Sequence, residues 1–112
     1  MGYINTHTFL TSASFVTTGS PMSVPGVCNP LSKVVISISG SPASNTINFK
    51  GKGDVGDYSA ITATNLATNT GASQTTNNLD QIWSVPIAGL RYVICDLEAI
   101  SGSITAQGII VI

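Results

Sequence analysis

The stretch GLRYVICDLEAISGSITAQGIIVI, residues 89–112, decides the fold. From Tyr92 onward its side chains alternate with a period of two. Tyr92, Ile94 and Asp96 fall on one face, and Val93, Cys95 and Leu97 on the other. That is the spacing of a half-buried β-strand, in which successive side chains point to opposite sides of a sheet. The segment ISGS supplies a turn, and a second strand follows. In it Ile104, Ala106, Gly108 and Ile110 oppose Thr105, Gln107, Ile109 and Val111. The two strands form a closing hairpin. Its end, GIIVI, is apolar on both faces, a pattern normally found where a strand is covered on both sides. The expectation is that this end packs against another subunit.

The rest of the chain repeats the theme. KVVISIS, residues 33–39, sends Val34, Ile36 and Ile38 one way and Val35, Ser37 and Ser39 the other. In residues 80–88 Trp83, Val85 and Ile87 share a face opposite Ile82, Ser84 and Pro86, which predicts a core position for the tryptophan. TINFK is a further strand, and GKGDVGDYSAI turns into a hairpin partner that begins at Tyr58. Residues 6–17 read as a first strand pair or one long bent strand. Residues 19–30, GSPMSVPGVCNP, hold three prolines and two glycines, so they belong in a loop or at a sheet edge. Residues 64–78 are polar and low in complexity and read as a long loop or a loosely held edge. No window combines good helix formers with a helical apolar period. The expected fold is all-β: one antiparallel β-sandwich over residues 1–112, a jelly roll being one way to wind it, with about seven or eight short strands. Residues 1–30 would be an N-terminal arm, first strand and Pro-rich loop, and residues 31–112 the sandwich body.

Composition narrows the function. Charged residues make up 8% of the 112, and hydrophobic ones 43%. An average domain is about 25% charged, so this surface must be built from Ser, Thr, Asn and Gly, and a covered surface suits it. The four basic residues, Lys33, Lys50, Lys52 and Arg91, are scattered, and the net charge is −1. Nucleic-acid binding needs clustered positive charge, so it is not expected. No run of apolar residues is long enough for a membrane helix. The N-terminus lacks the basic start and apolar run of a signal peptide. Gly2 and Thr6 meet only the minimal myristoylation pattern. The expected product is a soluble protein made in a cytoplasm.

Catalytic and metal chemistry find little to stand on. His7 is the single histidine, with no partner near it in sequence to position it as a base. Asp54 and Asp57 flank Val55 and Gly56. The segment lacks the ligand alternation and distal Glu of a calcium loop, and aspartate suits a turn for its own backbone hydrogen bonds. Asp96 and Glu98 share a strand, whereas a glycosidase pair must face each other across a cleft. They are expected to face solvent or a basic partner such as Arg91 of a neighbouring copy. Cys28 and Cys95 have neither redox-motif nor zinc spacing. Burial statistics favour two reduced thiols, while a disulfide remains open to an exported chain. No enzyme activity, cofactor or metal is expected.

Two stretches resemble a known family. INFKGKGDVGDYSAI, residues 47–61, is similar to a strand–turn–strand unit of small tailed-bacteriophage virion structural proteins. AGLRYVICDLEAISGSITAQG, residues 88–108, resembles their closing hairpin. The resemblance covers about the last two-thirds of the chain and brings no catalytic residues. It implies a virion protein made in the host bacterial cytoplasm: a capsid decoration or cement subunit. Its expected partners are the major capsid protein or other virion proteins, with copies of itself in a homo-oligomer. Termini and irregular loops reach neighbours most easily. Candidate subunit contacts are therefore Tyr3, Ile4 and Phe9 in the N-terminal arm, Val24 and Pro25 in the Pro-rich loop, and Ile109, Ile110, Val111 and Ile112 at the last strand end. The alternative is a carbohydrate-binding or host-attachment module of a tail or fibre, with Tyr58 and Trp83 as glycan contacts.

Overall fold

The computed structural model describes residues 3–26, 28–41, 44–75 and 81–112, and the side chains from residue 6 onward within them. Eleven strands run through the described residues. They are β1 (Tyr3–Ala13), β2 (Thr17–Thr18), β3 (Met22–Ser23), β4 (Lys33–Gly40), β5 (Ser44–Lys52), β6 (Ser59–Ala60), β7 (Ala63–Asn65), β8 (Thr70–Ala72), β9 (Gln81–Pro86), β10 (Tyr92–Ser101) and β11 (Ile104–Val111). They make two antiparallel sheets. Sheet A has the order β1-β11-β4-β9-β7-β8, and sheet B the order β2-β10-β5-β6 with β3 also paired to β10. The chain is an all-β sandwich. The count exceeds seven or eight because several strands are only two or three residues long. Such pieces are defined by a neighbour's hydrogen bonds and leave no periodicity of their own.

Alternation builds the core as the side-chain phases require. Val34, Ile36 and Ile38 of β4, Trp83 and Val85 of β9, and Ile104, Ala106 and Ile110 of β11 point inward from sheet A and are buried. Ile47 and Phe49 of β5 and Val93, Cys95 and Leu97 of β10 meet them from sheet B. Phe49 and Trp83 touch across the layers with ring centroids 5.1 Å apart at 48°. Such a pair adds roughly 0.5–1.5 kcal/mol beyond its burial. The Trp83 indole N–H, which would be costly to bury unpaired, donates to Gln81 Oε1 at 2.8 Å.

The described residues among the first thirty pair into both sheets. β1 pairs along β11, with Tyr3 opposite Val111 and Ala13 opposite Ile104. Phe9, Leu10, Met22 and Val24 belong to the one core cluster. β2 and β3 lie along an edge of sheet B, as the prolines around them demand. Between them the chain stitches the two sheets together: Gly19 N–H donates to Cys95 O of β10 at 3.0 Å, and Ser20 N–H donates to Phe9 O of β1 at 2.9 Å. A Cβ on Gly19 would fall 2.5 Å from Phe9 O and 2.8 Å from Cys95 O, so a residue without one is required there.

The polar segment after β6 is also better held than its composition suggests. β7 and β8 form a small hairpin at the edge of sheet A, where β7 pairs with β9. The following residues then run along β5. Phe49 N–H donates to Ser73 O at 3.0 Å, and Thr75 N–H to Ile47 O at 2.9 Å. The Thr75 hydroxyl is buried; it accepts from Ile47 N–H at 2.9 Å and donates to Asn45 Oδ1 at 2.8 Å. Buried polar groups satisfied in this way favour one arrangement over others. Of the two readings of residues 64–78, residues 64–75 thus follow the edge and not the loop, and residues 76–78 lie outside the described residues.

Candidate functional site

The outer faces of the two sheets differ in chemistry. Sheet B and its turns carry most of the described charges. Lys50 Nζ lies 2.8 Å from Asp96 Oδ2, and Arg91 Nε lies 2.8 Å from Asp54 Oδ1. Register explains the first pair: Lys50 sits opposite Ile94 on β10, one outward position from Asp96. Asp96 and Arg91 thus find partners within the chain. Beside them Lys52 Nζ lies 5.4 Å from the Tyr58 ring centroid and 5.5 Å from that of Tyr92. Both distances are within cation–π range.

The outer face of sheet A carries Val35, Ser37 and Ser39 from β4, Ile82 and Ser84 from β9, and Thr105, Gln107, Ile109 and Val111 from β11. Lys33, at the start of β4, is the single charged residue among its described positions. Ile109 faces Val35 in register, and Val111 faces Lys33. At the opposite end of the face Ser37, Ser39, Leu66, Ala67 and Ile82 border a groove of about 450 Å³, floored by Ile38 and Gln81.

The predicted contact residues divide. Phe9, Val24 and Ile110 are buried in the chain's own core at 2%, 7% and 2% exposure, so they are not subunit contacts. Phe9 packs over Gly108, whose missing side chain makes the room: a Cβ there would lie 2.8 Å from Phe9 Cε2 and from Val34 Cγ2. Pro25, Ile109, Val111 and Ile112 remain partly exposed, while the side chains of Tyr3 and Ile4 lie outside the description. In the apolar end GIIVI, β11 runs between β1 and β4, with Ile110 inward and Ile109 and Val111 on the partly exposed outer face. Of the glycan candidates, Trp83 is 2% exposed and cannot stack on a sugar. Tyr58 is half-buried beside Lys52. Tyr92, another aromatic that could stack on a sugar, lies on the other side of Lys52; the lysine between the two rings was not expected.

His7 does not sit in a catalytic array. Its Nε2–H donates to Ser20 O at 2.8 Å, and its ring meets Phe9 edge-on at 4.7 Å, so it helps clasp β1 to the stitch. Both cysteines are free. Burial pushes the Cys95 thiol well above its usual range. Among the described residues no three His, Cys, Asp or Glu side chains gather to hold a metal.

Comparison with known proteins agrees with this architecture. The family model described as XepA matches residues 4–110. The chain belongs to the XepA family. It is 32% identical over 79 residues to the SPbeta prophage-derived protein YomS of Bacillus subtilis (strain 168), a match covering 70% of this chain and 66% of YomS. That alignment thus spans just under two thirds of its relative. The crystal structure of the SPBc2 prophage-derived protein YomS superposes with a TM-score of 0.85 at 26% identity, covering 98% of this chain and 95% of that one. The PBSX exported protein XepA superposes with the same TM-score of 0.85 at 19% identity. This chain spans 98% of its own length but only 38% of the XepA chain, and at that identity the likeness shows the fold alone. The relatives are phage-derived proteins, in keeping with the phage origin expected from the sequence.

Proposed function

We propose that the chain is a non-enzymatic structural protein of a phage particle, a decoration subunit that docks on assembled capsid protein. The observation that carries this reading is the chemistry of sheet A's outer face. Docking removes water from a surface, and unpaired charges make that costly. Among its described residues the outer face of sheet A has one charge at its margin and an apolar strip of Val35, Ile109 and Val111 beside it. Each contact is weak alone, and repetition on a symmetric shell supplies avidity. Phage-derived relatives support the setting.

The test is co-sedimentation of the purified chain with capsids assembled without accessory proteins. Saturable binding at a fixed ratio to capsid subunits, lost in Val35→Asp, is the expected result. Absence of binding at saturating concentration would sink the decoration reading.

A second reading has its own observation. Tyr58, Lys52 and Tyr92 place two aromatic faces around an ammonium on sheet B, which suits an anionic saccharide at a host surface. XepA is described as an exported protein, a setting in which such a ligand would be met. Glycan-array binding that disappears in Lys52→Met and survives Val35→Asp would favour this reading over the first.

A further inference from the structure

Three of the four basic residues are satisfied within the chain. Lys50 is paired with Asp96, Arg91 with Asp54, and Lys52 lies between two tyrosine rings. Lys33 is the fourth. It is exposed, and among the described residues no carboxylate or ring meets it. Its setting is a cup of about 290 Å³ where β4 begins and β9 ends. One wall is the turn from Asn29 to Ser32, which is locked from inside. Leu31 N–H donates to Asn29 Oδ1 at 2.8 Å, Asn29 N–H to the Ser32 hydroxyl at 2.9 Å, and Ser32 N–H to Asn29 O at 3.0 Å. The turn holds Leu31 out at 83% exposure, apart from the core cluster. Thr62, Thr64 and Ser84 line the cup with hydroxyls, and Thr64 and Ser84 are register partners on β7 and β9.

Register also makes the cup the end of the apolar strip on sheet A. Lys33 sits between Val111 of β11 and Pro86 of β9, and one outward row along Val35 sits between Ile109 and Ser84. A partner that covers Val35, Ile109 and Val111 therefore covers Lys33 as well. An ammonium taken out of water without a counter-charge is costly. The other side of the contact must bring an anion to this one point. The cup is ready for it: Lys33 supplies the charge, and the three hydroxyls can donate to the oxygens that the ammonium leaves unfilled. Leu31 and Pro86 border the site with apolar surface, and an ion pair shielded from water is strengthened.

We propose that the cup receives an aspartate or glutamate side chain of the capsid protein, carried on a segment whose neighbouring apolar residues lie along Val35 and Ile109. The inference rests on the docking function proposed above and names the chemistry of the partner's side. Size favours a single side chain over a whole ligand, since the volume of about 290 Å³ is just below the range of about 300–1,000 Å³ for pockets that enclose small molecules. The apolar strip running on from the cup favours a protein segment over a saccharide, which has no apolar run to match it.

The full chain, mixed with capsids assembled without accessory proteins, tests this in two ways. A carbodiimide condenses an amine with a carboxylate in direct contact. Mass spectrometry of the digested mixture should find Lys33 joined to an aspartate or glutamate of the capsid protein. In co-sedimentation Lys33→Met should bind about 30-fold more weakly or worse, Lys33→Glu more weakly still, and Lys33→Arg close to wild type. Circular dichroism should be unchanged in all three, because the side chain is exposed. If the wild type does not bind capsids, the docking function and this inference fall together. If the wild type binds and Lys33→Met binds as tightly, or if carbodiimide joins other lysines to the capsid and leaves Lys33 free, this inference alone is overturned.

Discussion

The two sheets share one core and present opposite exteriors. Sheet B resolves its outer face internally: Lys50 is tied to Asp96, Lys52 is held between two tyrosines, and Arg91 at its margin is tied to Asp54. Sheet A leaves Val35, Ile109 and Ile82 on a face of serine, threonine and glutamine. A protein with so few charges could have spread them evenly. Concentrating them on one side leaves the other cheap to dehydrate, and under the proposed function that is the docking face.

Substitutions can break or sharpen the contrast. The largest effect should come from beneath both faces. Trp83→Ala removes the side chain that joins the sheets through Phe49 and should cost about 3–5 kcal/mol in urea unfolding. Any glycan binding should be lost only to the extent that the chain unfolds. Gly108→Val forces a branched side chain between Phe9 and Val34, and overpacking of this kind costs about 1–3 kcal/mol. A thermal melt at matched concentration would show it. On sheet B, a double-mutant cycle with Lys50→Ala and Asp96→Ala should return about 0.2–1 kcal/mol, shrinking as salt is raised. A coupling that is salt-independent or several times larger would mean that the pair does more than decorate a solvated face. On sheet A, Val35→Asp should change stability by no more than about 0.5 kcal/mol. If it unfolds the chain, the residue is part of the core and the face is not a free surface.

The strongest strands were legible because both their faces have distinct surroundings. In β4, β9 and β11 the inward residues are apolar and the outward ones mostly polar, so the period of two could be read directly, down to the burial of Trp83. The hairpin β7–β8 and the segment at Ser73–Thr75 were illegible for the opposite reason. Their side chains are small and polar, and they are ordered by hydrogen bonds to strands distant in sequence. In GIIVI two apolar faces were visible, but nothing near Ile109 says that β1 returns to pair with this strand. The Lys52–Tyr92 neighbourhood depends likewise on the β5–β10 register, which pairs Tyr92 with Lys52. The exposed Phe15 was in plain view in SASFVTT, an aromatic among small polar residues, yet sequence alone cannot tell a surface knob from a core anchor.

The pairing of Tyr3 with Val111 has a mechanical consequence. The two ends of the strand pair β1–β11 lie side by side, so a pull on them in opposite directions loads the inter-strand hydrogen bonds one after another. The pair would part like a zipper, at low force, until the rupture reached Phe9, where the ring over Gly108 and the Ser20 hydrogen bond tie the strand to both sheets. Tension that enters at the ends is thus absorbed by the first turns of the zipper. The far pole keeps its shape.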